Sequence, residues 1–127
     1  MARKKTFRPT ERELAILRVL WERGPSTVRQ VNEALSSKGR VGYTTTLKLM
    51  QIMTEKVLLE RDESDRTHIY KARAAAEKTQ RQLVSDLMDK AFGGSARKLV
   101  MQAISTKKLS SEELREIKKM LDEMGGP

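Results

Sequence analysis

Hydrophobic and polar residues follow two different periods along this chain. Over residues 10–56 and again over residues 76–124, apolar side chains recur at intervals of three and four residues, as in amphipathic helices. Between these stretches, residues 58–71 form two short runs on either side of a charged turn, as in a β-hairpin. The pattern predicts a mainly α protein with a small β-hairpin, in which three short helices precede the hairpin and three more follow it.

The first helix begins at a capping box. Thr10 and Glu13 stand three residues apart, so the hydroxyl can accept from an early helical N–H while the carboxylate reaches back. Gly24-Pro25 is predicted to end the helix. We interpret Trp21, the only tryptophan, as a core anchor rather than a binding platform. The apolar stripe comprises Leu14, Leu17, Val19, Leu20 and Trp21.

A second short helix follows, with Ser26 at the N-cap position. It is predicted to end near Ser36, and residues 37–40 read as a turn whose two basic side chains, Lys38 and Arg40, can also contact phosphate. Its apolar face consists of Val28, Val31, Ala34 and Leu35.

The third helix, predicted over residues 44–56, has the most informative polar face. Its inward stripe consists of Thr46, Leu49, Met50 and Met53. Its outer face consists of Thr44, Thr45, Lys48, Gln51 and Ile52. Short hydroxyl side chains let a helix approach base edges closely, Gln51 can pair bidentately with adenine, and Lys48 can address guanine or a phosphate. Taken alone, this face is equally compatible with an ordinary solvated helix.

The hairpin favours a reading role for the third helix. Its predicted strands are residues 58–61 and 67–71, with Leu59, Ile69 and Tyr70 on the packed side. Three short helices and then a hairpin is the order of a winged helix-turn-helix, whose third helix enters the major groove. Arg66 in the turn is the natural phosphate or minor-groove contact. His68 is expected to be structural or solvent-facing, with a DNA contact or a pH-sensitive role as the alternative.

The chain is predicted to divide into a winged-helix DNA-binding domain, residues 1–74, and a helical dimerisation region, residues 75–127. Gly93-Gly94-Ser95 interrupts the helices of the second part, and a capping box of Ser110 with Glu113 begins the last one. Their apolar stripes can pack back on the winged helix or pair with a second copy. We favour the copy, because a two-fold dimer presents two reading helices to a palindromic operator. The predicted dimerisation residues are Leu83, Leu87, Phe92, Leu99, Ile104, Leu114, Ile117 and Leu121.

The composition argues against several classes of site. The 127 residues include no cysteine and one histidine, which argues against disulfides, zinc sites and Ser/His/Asp or Cys/His catalytic sets. We therefore expect neither an enzyme nor a bound metal or cofactor. No apolar run reaches the ~18 residues that a membrane span needs, so the protein is expected to be cytoplasmic, without membrane insertion.

Charge indicates a polyanionic partner. The net charge is +9, from 26 Lys/Arg and 17 Asp/Glu. Residues 1–72 hold 15 basic against 9 acidic side chains, so the excess leans toward the predicted reading half. The basic residues 1–9 are either a frayed tail or an arm that contacts DNA phosphates.

Four stretches resemble the penicillinase and methicillin-resistance repressors of the BlaI/MecI/CopY type. They are Thr10-Glu11-Arg12-Glu13-Leu14 with Leu17 and Leu20-Trp21; Gly24-Pro25-Ser26-Thr27-Val28-Arg29-Gln30-Val31; Tyr43-Thr44-Thr45 with Leu49-Met50 and Lys56; and Leu109-Ser110 with Glu112-Glu113-Leu114. They occur in the family order over most of the chain.

The resemblance implies a homodimeric transcriptional repressor whose operator overlaps promoters of resistance genes, such as those of the β-lactam response. In that family a membrane sensor relieves repression by triggering cleavage in the C-terminal region. Thr44, Thr45 and Lys48 fall at the family's DNA-contacting positions, and Arg66 falls in its wing. With the residues proposed above, the predicted DNA-binding set is Arg40, Tyr43, Thr44, Thr45, Lys48, Gln51 and Arg66.

The chain departs from the family at several places. Val57 stands where glycine is usual, which disfavours a left-handed helix cap, and Ile52 stands where many members carry arginine. The stretch Met101-Gln102-Ala103-Ile104 lacks the Asn-Phe pair of the cleaved bond, which leaves the inducing signal and the mode of derepression open. The cysteine-rich tail of copper-responsive members is absent. Two other functions stay open, a winged-helix module that binds proteins and a non-specific architectural DNA binder.

Overall fold

The computed structural model describes residues 8–37 and 39–126, so the predictions for residues 1–7 and for Lys38 lie outside the described residues. The mainly α fold with one small hairpin is confirmed. The elements in chain order are α1 (Glu11–Arg23), α2 (Val28–Ser36), α3 (Tyr43–Glu55), β1 (Leu59–Asp62), β2 (Ile69–Ala72), α4 (Ala76–Ala91), α5 (Ala96–Thr106) and α6 (Ser111–Gly125).

The chain forms two compact units, which we call the N-terminal unit (Met1–Leu83) and the C-terminal unit (Val84–Pro127). The functional division that we expect after residue 74 concerns roles rather than compactness, and it stays a prediction.

The predicted capping box begins α1. The Thr10 N–H donates to the Glu13 carboxylate at 2.9 Å, and the Glu13 N–H donates to the Thr10 hydroxyl at 3.2 Å. Gly24, at φ 90°, ends the helix as predicted. The predicted apolar stripe omitted Ile16, which is fully buried beside Leu17. Ile16 belongs to the stripe because the buried face runs through positions 13, 16, 17 and 20, at the helical spacing of three and four.

The predicted N-cap of α2 is wrong by one residue. Thr27 is the N-cap, and it forms a second capping box with Gln30. Ser26 is buried instead, where its backbone pairs with Tyr70 in an isolated antiparallel bridge, with N–O distances of 2.9 and 2.8 Å. Its hydroxyl donates to the Gly24 carbonyl at 2.8 Å. Ser26 therefore joins the α1–α2 connection to the hairpin.

The hairpin register decides which side chains reach the core. Leu59 lies opposite Ala72 and Arg61 lies opposite Tyr70, so Leu59 and Tyr70 share one face, and both are buried. Ile69 points to the other face and is only half-buried, which corrects its predicted place beside Leu59. The core of the N-terminal unit consists of Ile16, Leu17, Leu20, Val28, Val31, Met50, Met53, Leu59 and Tyr70.

The C-terminal unit contains capped helices without a buried side chain among its described residues. The Ser95 hydroxyl accepts from the Lys98 N–H at the start of α5, and Ser110 forms the predicted capping box with Glu113 at the start of α6. Local hydrogen bonding thus fixes the helix ends, while the apolar stripes of this unit stay accessible.

Candidate nucleic-acid interface

Helix α3 presents one continuous polar stripe to solvent. Thr44, Lys48 and Gln51 are all exposed and succeed one another at intervals of four and three residues. Thr45 is exposed on one flank of this stripe and Tyr43 on the other. Met50 and Met53, on the opposite side of the helix, are fully buried, so the helix has a fixed inner side.

Two residues of α3 differ from their predicted places, one on the outer face and one on the inner face. Ile52 is half-buried rather than outward, because it lies at the edge where the exposed stripe meets the packed side. Leu49, predicted inward, is also only half-buried. Glu55, which the sequence reading did not consider, is exposed and continues the stripe after Gln51. Its negative charge at the last turn leaves the first three turns of α3 as the part that suits a phosphate-rich ligand.

The N-terminal end of α3 is held by Asn32 of α2. The Asn32 side-chain amide donates to the hydroxyl of the buried Thr46 at 2.9 Å and to the Val41 carbonyl at 3.0 Å. The Ser36 hydroxyl donates to the same carbonyl at 3.3 Å. Sequence analysis missed Asn32, and the signal available was weak: an amide side chain on the inner side of a short helix.

The C-terminal end of α3 is held by an ion pair with α1. The Lys56 ammonium lies 3.0 and 2.9 Å from the two carboxylate oxygens of Glu13. The Glu13 side chain is only 3% exposed and that of Lys56 is 34% exposed, so one partner is buried and the other is half-accessible. Because Glu13 also accepts from the Thr10 N–H, one carboxylate both caps α1 and fixes the end of α3. The capping role was predicted, whereas the ion pair was missed.

The turn after α3 keeps a left-handed cap although Val57 replaces glycine. Val57 adopts φ 67°, and its N–H donates to the Thr54 carbonyl at 3.1 Å. The Leu58 N–H donates to the Met53 carbonyl at 2.9 Å. These two bonds form a complete Schellman motif, so the cap forms although valine disfavours its left-handed conformation. The hydrogen bonds and the burial of Leu59 hold the backbone in place despite the side chain.

Two open grooves border α3, and each contains some of the predicted DNA-binding residues. We call the first the α1-side groove; Arg12, Arg40 and Thr45 line it. The second, which we call the wing groove, lies between the starts of α2 and α3 and the hairpin loop. It brings Tyr43 and Arg66 together and adds Arg29 and His68. Arg12 and Arg29 were not predicted, because exposed arginines on helices carry no pattern that separates contacts from solvated charge.

The loop of the hairpin is electrostatically mixed. Arg61 pairs with Glu63, and the Asp62 carboxylate accepts from the Ser64 N–H at 2.9 Å and from its hydroxyl at 2.7 Å. These hydrogen bonds hold the pKa of Asp62 below its usual range, and the bond from the Ser64 backbone has the larger effect. Asp62 and Glu63 are thus engaged locally, while Arg66 and His68 line the wing groove.

Charge is strongly divided between the two units. The N-terminal unit contains 18 Lys/Arg against 10 Asp/Glu, a net charge of +8, whereas the C-terminal unit has eight against seven, a net charge of +1. The unit with the exposed polar helix therefore carries nearly all of the positive excess, as a nucleic-acid-binding surface requires.

The predicted dimerisation residues are only partly covered. Leu87, Ile104, Leu114 and Leu121 are 40–56% exposed, and Phe92, Leu99 and Ile117 are half-buried. Leu83, at the end of the N-terminal unit, lines a groove with Leu14 and Trp21 of α1. Trp21 itself is half-buried, and its indole N–H donates to the Ala74 carbonyl at 3.0 Å, as a structural anchor would.

The described residues form neither a metal-ligand cluster nor a membrane-spanning helix. Within residues 8–37 and 39–126, no three His, Cys, Asp or Glu side chains lie close enough together to hold a metal ion. In the same part of the chain, each helix is too short or too polar to cross a membrane. The stretch 101–104 lies inside α5 and is exposed.

Comparison with known proteins agrees with this picture. A model of the penicillinase repressor family matches residues 9–123. Two curated relatives named transcriptional regulator BlaI, from two strains of Mycobacterium tuberculosis, are each 40% identical over 67 residues, which are 52% of this chain and 49% of the relative. The chain thus spans about half the length of these relatives. A solved structure described as the complex structure of hsRosR-S4 gives a TM-score of 0.53 at 19% identity, covering 76% of this chain and 86% of that one, and it supports the fold alone.

Proposed function

Because the chain belongs to the penicillinase repressor family, we propose that it represses transcription by binding a palindromic DNA operator as a homodimer. The observation that carries the proposal is the exposed stripe of α3, fixed at both ends and set in the unit that holds nearly all of the net positive charge. A helix held in this way can enter a major groove in one orientation, which sequence recognition requires.

The chemistry of the stripe supports base recognition. Thr44 and Thr45 are short enough for close approach, and their methyl groups can contact thymine. Lys48 can donate to guanine or a phosphate, and Gln51 can pair with adenine. Arg40, Tyr43 and Arg66 on the flanking grooves suit contacts to the sugar-phosphate backbone, which position a protein without reading sequence.

The C-terminal unit supports dimerisation. Exposed apolar residues occur on all three of its helices, for example Leu87, Ile104 and Leu121. Apolar surface of this extent on a small unit without a buried side chain among its described residues is typical of an interface. A two-fold dimer of the chain would present two copies of α3 to two half-sites, and repression would follow from occupying DNA that the polymerase needs.

The family description motivates two finer proposals. We propose that a gene of the β-lactam response is among the regulated genes, and that the protein acts in the cytoplasm, where a bacterial repressor meets its operator. Deleting the gene should raise the transcripts next to the bound genomic fragments without an antibiotic. Unchanged transcripts, or bound fragments unrelated to β-lactam resistance, would contradict the first of these proposals.

Selection of bound fragments from genomic DNA, followed by titration of the best fragment against a scrambled one, tests the main proposal. Lys48→Ala and Thr45→Ala should each weaken operator binding by about 1–3 kcal/mol, or roughly fivefold to 150-fold, while changing binding to scrambled DNA much less. Lys71→Ala, at an exposed lysine of β2, serves as the matched control and should leave the preference intact.

Each other outcome identifies a different function. Equal losses on both DNAs would mean that α3 does not read sequence. Binding without preference would indicate an architectural DNA binder, and the absence of binding to any duplex would favour a protein-binding module.

A further inference from the structure

The wing groove combines an apolar floor with a basic rim. Its floor is apolar, formed by Val28, Leu47 and Tyr70, and its volume is about 550 Å³. Its rim contains Arg29 from α2, Tyr43 from α3, and Arg66, Thr67 and His68 from the hairpin loop. Among the described residues that line it, none carries a carboxylate, although acids are abundant elsewhere in the hairpin. The lining of the groove therefore suits an anion.

Three elements converge on this rim. Thr27 and Gln30, which also line the groove, form the capping box that fixes the start of α2 next to Arg29. The backbone bridge between Ser26 and Tyr70 attaches the start of α2 to β2, directly beyond His68. Arg29 and His68 thus lie on segments whose backbones are hydrogen-bonded to each other, so their separation is set by the fold rather than by a free loop.

We propose that the wing groove binds a phosphate of the DNA backbone through Arg29, Arg66 and His68, and that DNA binding takes up a proton at His68. This inference rests on the proposed DNA-binding function and deepens it. The groove opens beside Tyr43 at the start of α3, so a strand that passes the reading helix has its phosphates within reach of the groove. Arg29 becomes a positioning contact of the same kind as Arg66.

The proton uptake follows from the charges around the imidazole. The charged or titratable groups that line the groove with His68 are Arg29 from α2, Tyr43 from α3, Arg66 from the loop and Tyr70 from β2. A phosphate bound in the groove adds negative charge beside the imidazole and favours the imidazolium. By linkage, lowering the pH through the range in which histidine titrates must strengthen DNA binding.

Because His68 is the only histidine of the chain, a change of DNA affinity over the range in which histidine titrates can be assigned to it. The probe is a duplex of about 30 base pairs of random sequence, titrated with the full-length protein at pH 5.5 and pH 8 over a series of salt concentrations; phosphate contacts do not depend on sequence. Binding by the unchanged protein should be about tenfold stronger at pH 5.5. His68→Gln should give the weaker, pH 8 affinity at both pH values. His68→Lys should give the stronger affinity at both.

Arg29→Gln should lower the slope of log affinity against log salt by about 0.9, the value for one phosphate contact. Arg23→Gln is the matched control, since this exposed arginine of α1 does not line the groove. The inference is overturned if His68→Gln keeps the pH dependence, or if Arg29→Gln leaves the slope unchanged while the unaltered protein binds DNA. Absence of duplex binding by the unaltered protein at both pH values would overturn the DNA-binding function itself. Circular dichroism of each variant identifies one that fails to fold, in which case His68→Lys and Arg66→Gln carry the test.

Discussion

Val57 adopts a backbone conformation that its side chain opposes. A left-handed residue costs about 1–2 kcal/mol when it carries a side chain, and a β-branched one fits least well. The cost is tolerated because the Schellman hydrogen bonds of Val57 and Leu58 end α3 and start β1 in the correct direction. The local strain thus lies at the junction between the candidate reading helix and the wing.

Replacing Val57 by glycine should therefore stabilise the protein. The side chain is 46% exposed, so little packing is lost, and relief of the backbone strain exceeds the extra flexibility that glycine gives the unfolded chain. We expect Val57→Gly to raise the free energy of unfolding by about 1 kcal/mol in urea denaturation. Val57→Ala, which keeps a Cβ in the left-handed region, should change it far less. A destabilised glycine variant would mean that the valine side chain makes a packing contribution.

At this scale, the sequence predicts side-chain contacts whose partners are close in the chain. The Thr10–Glu13 and Ser110–Glu113 capping boxes are three residues apart and were predicted. The ion pair of Glu13 with Lys56 joins residues 43 positions apart, so helical periodicity carries no signal for it. The N-cap of α2 was misplaced because two hydroxyl residues are adjacent there, and the pairing of Ser26 with a distant strand decides between them.

Helix α6 illustrates how a locally encoded element responds to pH. The Ser110 N–H donates to the Glu113 carboxylate at 3.0 Å, and the Glu113 N–H donates to the Ser110 hydroxyl at 3.0 Å. Hydrogen bonds from the Ser110 backbone and then its side chain, with a smaller effect of the Lys107 charge, hold the pKa of Glu113 below its usual range. Since the folded pKa is the lower one, this stabilisation is present above the ordinary carboxyl range and is lost as the pH falls through the folded value.

Removal of the capping hydroxyl should disturb both ends of this interaction. In Ser110→Ala, the pKa of Glu113 should rise toward its usual range, and α6 should lose helical order in its first turn. Carboxyl-detected NMR titration of Glu113 measures the first effect, and amide exchange at Glu113 measures the second. Ser111→Ala, one residue further into the helix, should leave both unchanged. If the Glu113 pKa stays low in Ser110→Ala, the Ser110 backbone N–H, which alanine keeps, is sufficient to hold it there without the hydroxyl.

The elements themselves were largely predictable, whereas their mutual arrangement was not. Each helix has its own apolar period and a local stop signal, such as Gly24 after α1. The hairpin faces depend on register, and a short strand of four residues leaves the register undetermined until its partner is known. For that reason Tyr70 was placed correctly but Ile69 was not. The grooves beside α3 combine residues from three elements, so Arg29 and His68 emerged as neighbours only in the folded chain.

The two units of the molecule differ in the closure of their cores and in their net charge. The N-terminal unit has a closed core, with nine buried hydrophobic residues among those that the structure describes, and a net charge of +8. The C-terminal unit is nearly neutral and exposes the apolar stripes of its helices. The first combination suits a folded unit that binds a polyanion, and the second suits helices that complete their core with a partner. Under the proposed function, DNA affinity therefore depends on both units, because a dimer binds two half-sites at once.

Charged substitutions in the C-terminal unit test this dependence. Leu114→Asp and Leu121→Asp place a carboxylate on the apolar stripe of α6, where pairing with a second copy would bury it. We expect sedimentation to show a dimer for the unaltered chain and a monomer for the double variant. Operator affinity should fall by about a hundredfold or more, since linked binding of two half-sites exceeds that of one by roughly this factor.

The matched control is Glu116→Gln, which changes charge on the same helix at an exposed acidic position. It should leave both the dimer and the operator affinity unchanged. Binding of the double variant to a single half-site should also be retained, because the core of the N-terminal unit contains neither substituted residue. A double variant that stays dimeric would show that α6 is not the interface, and the stripes of α4 and α5, represented by Leu87 and Ile104, would then be the next surfaces to alter in the same way.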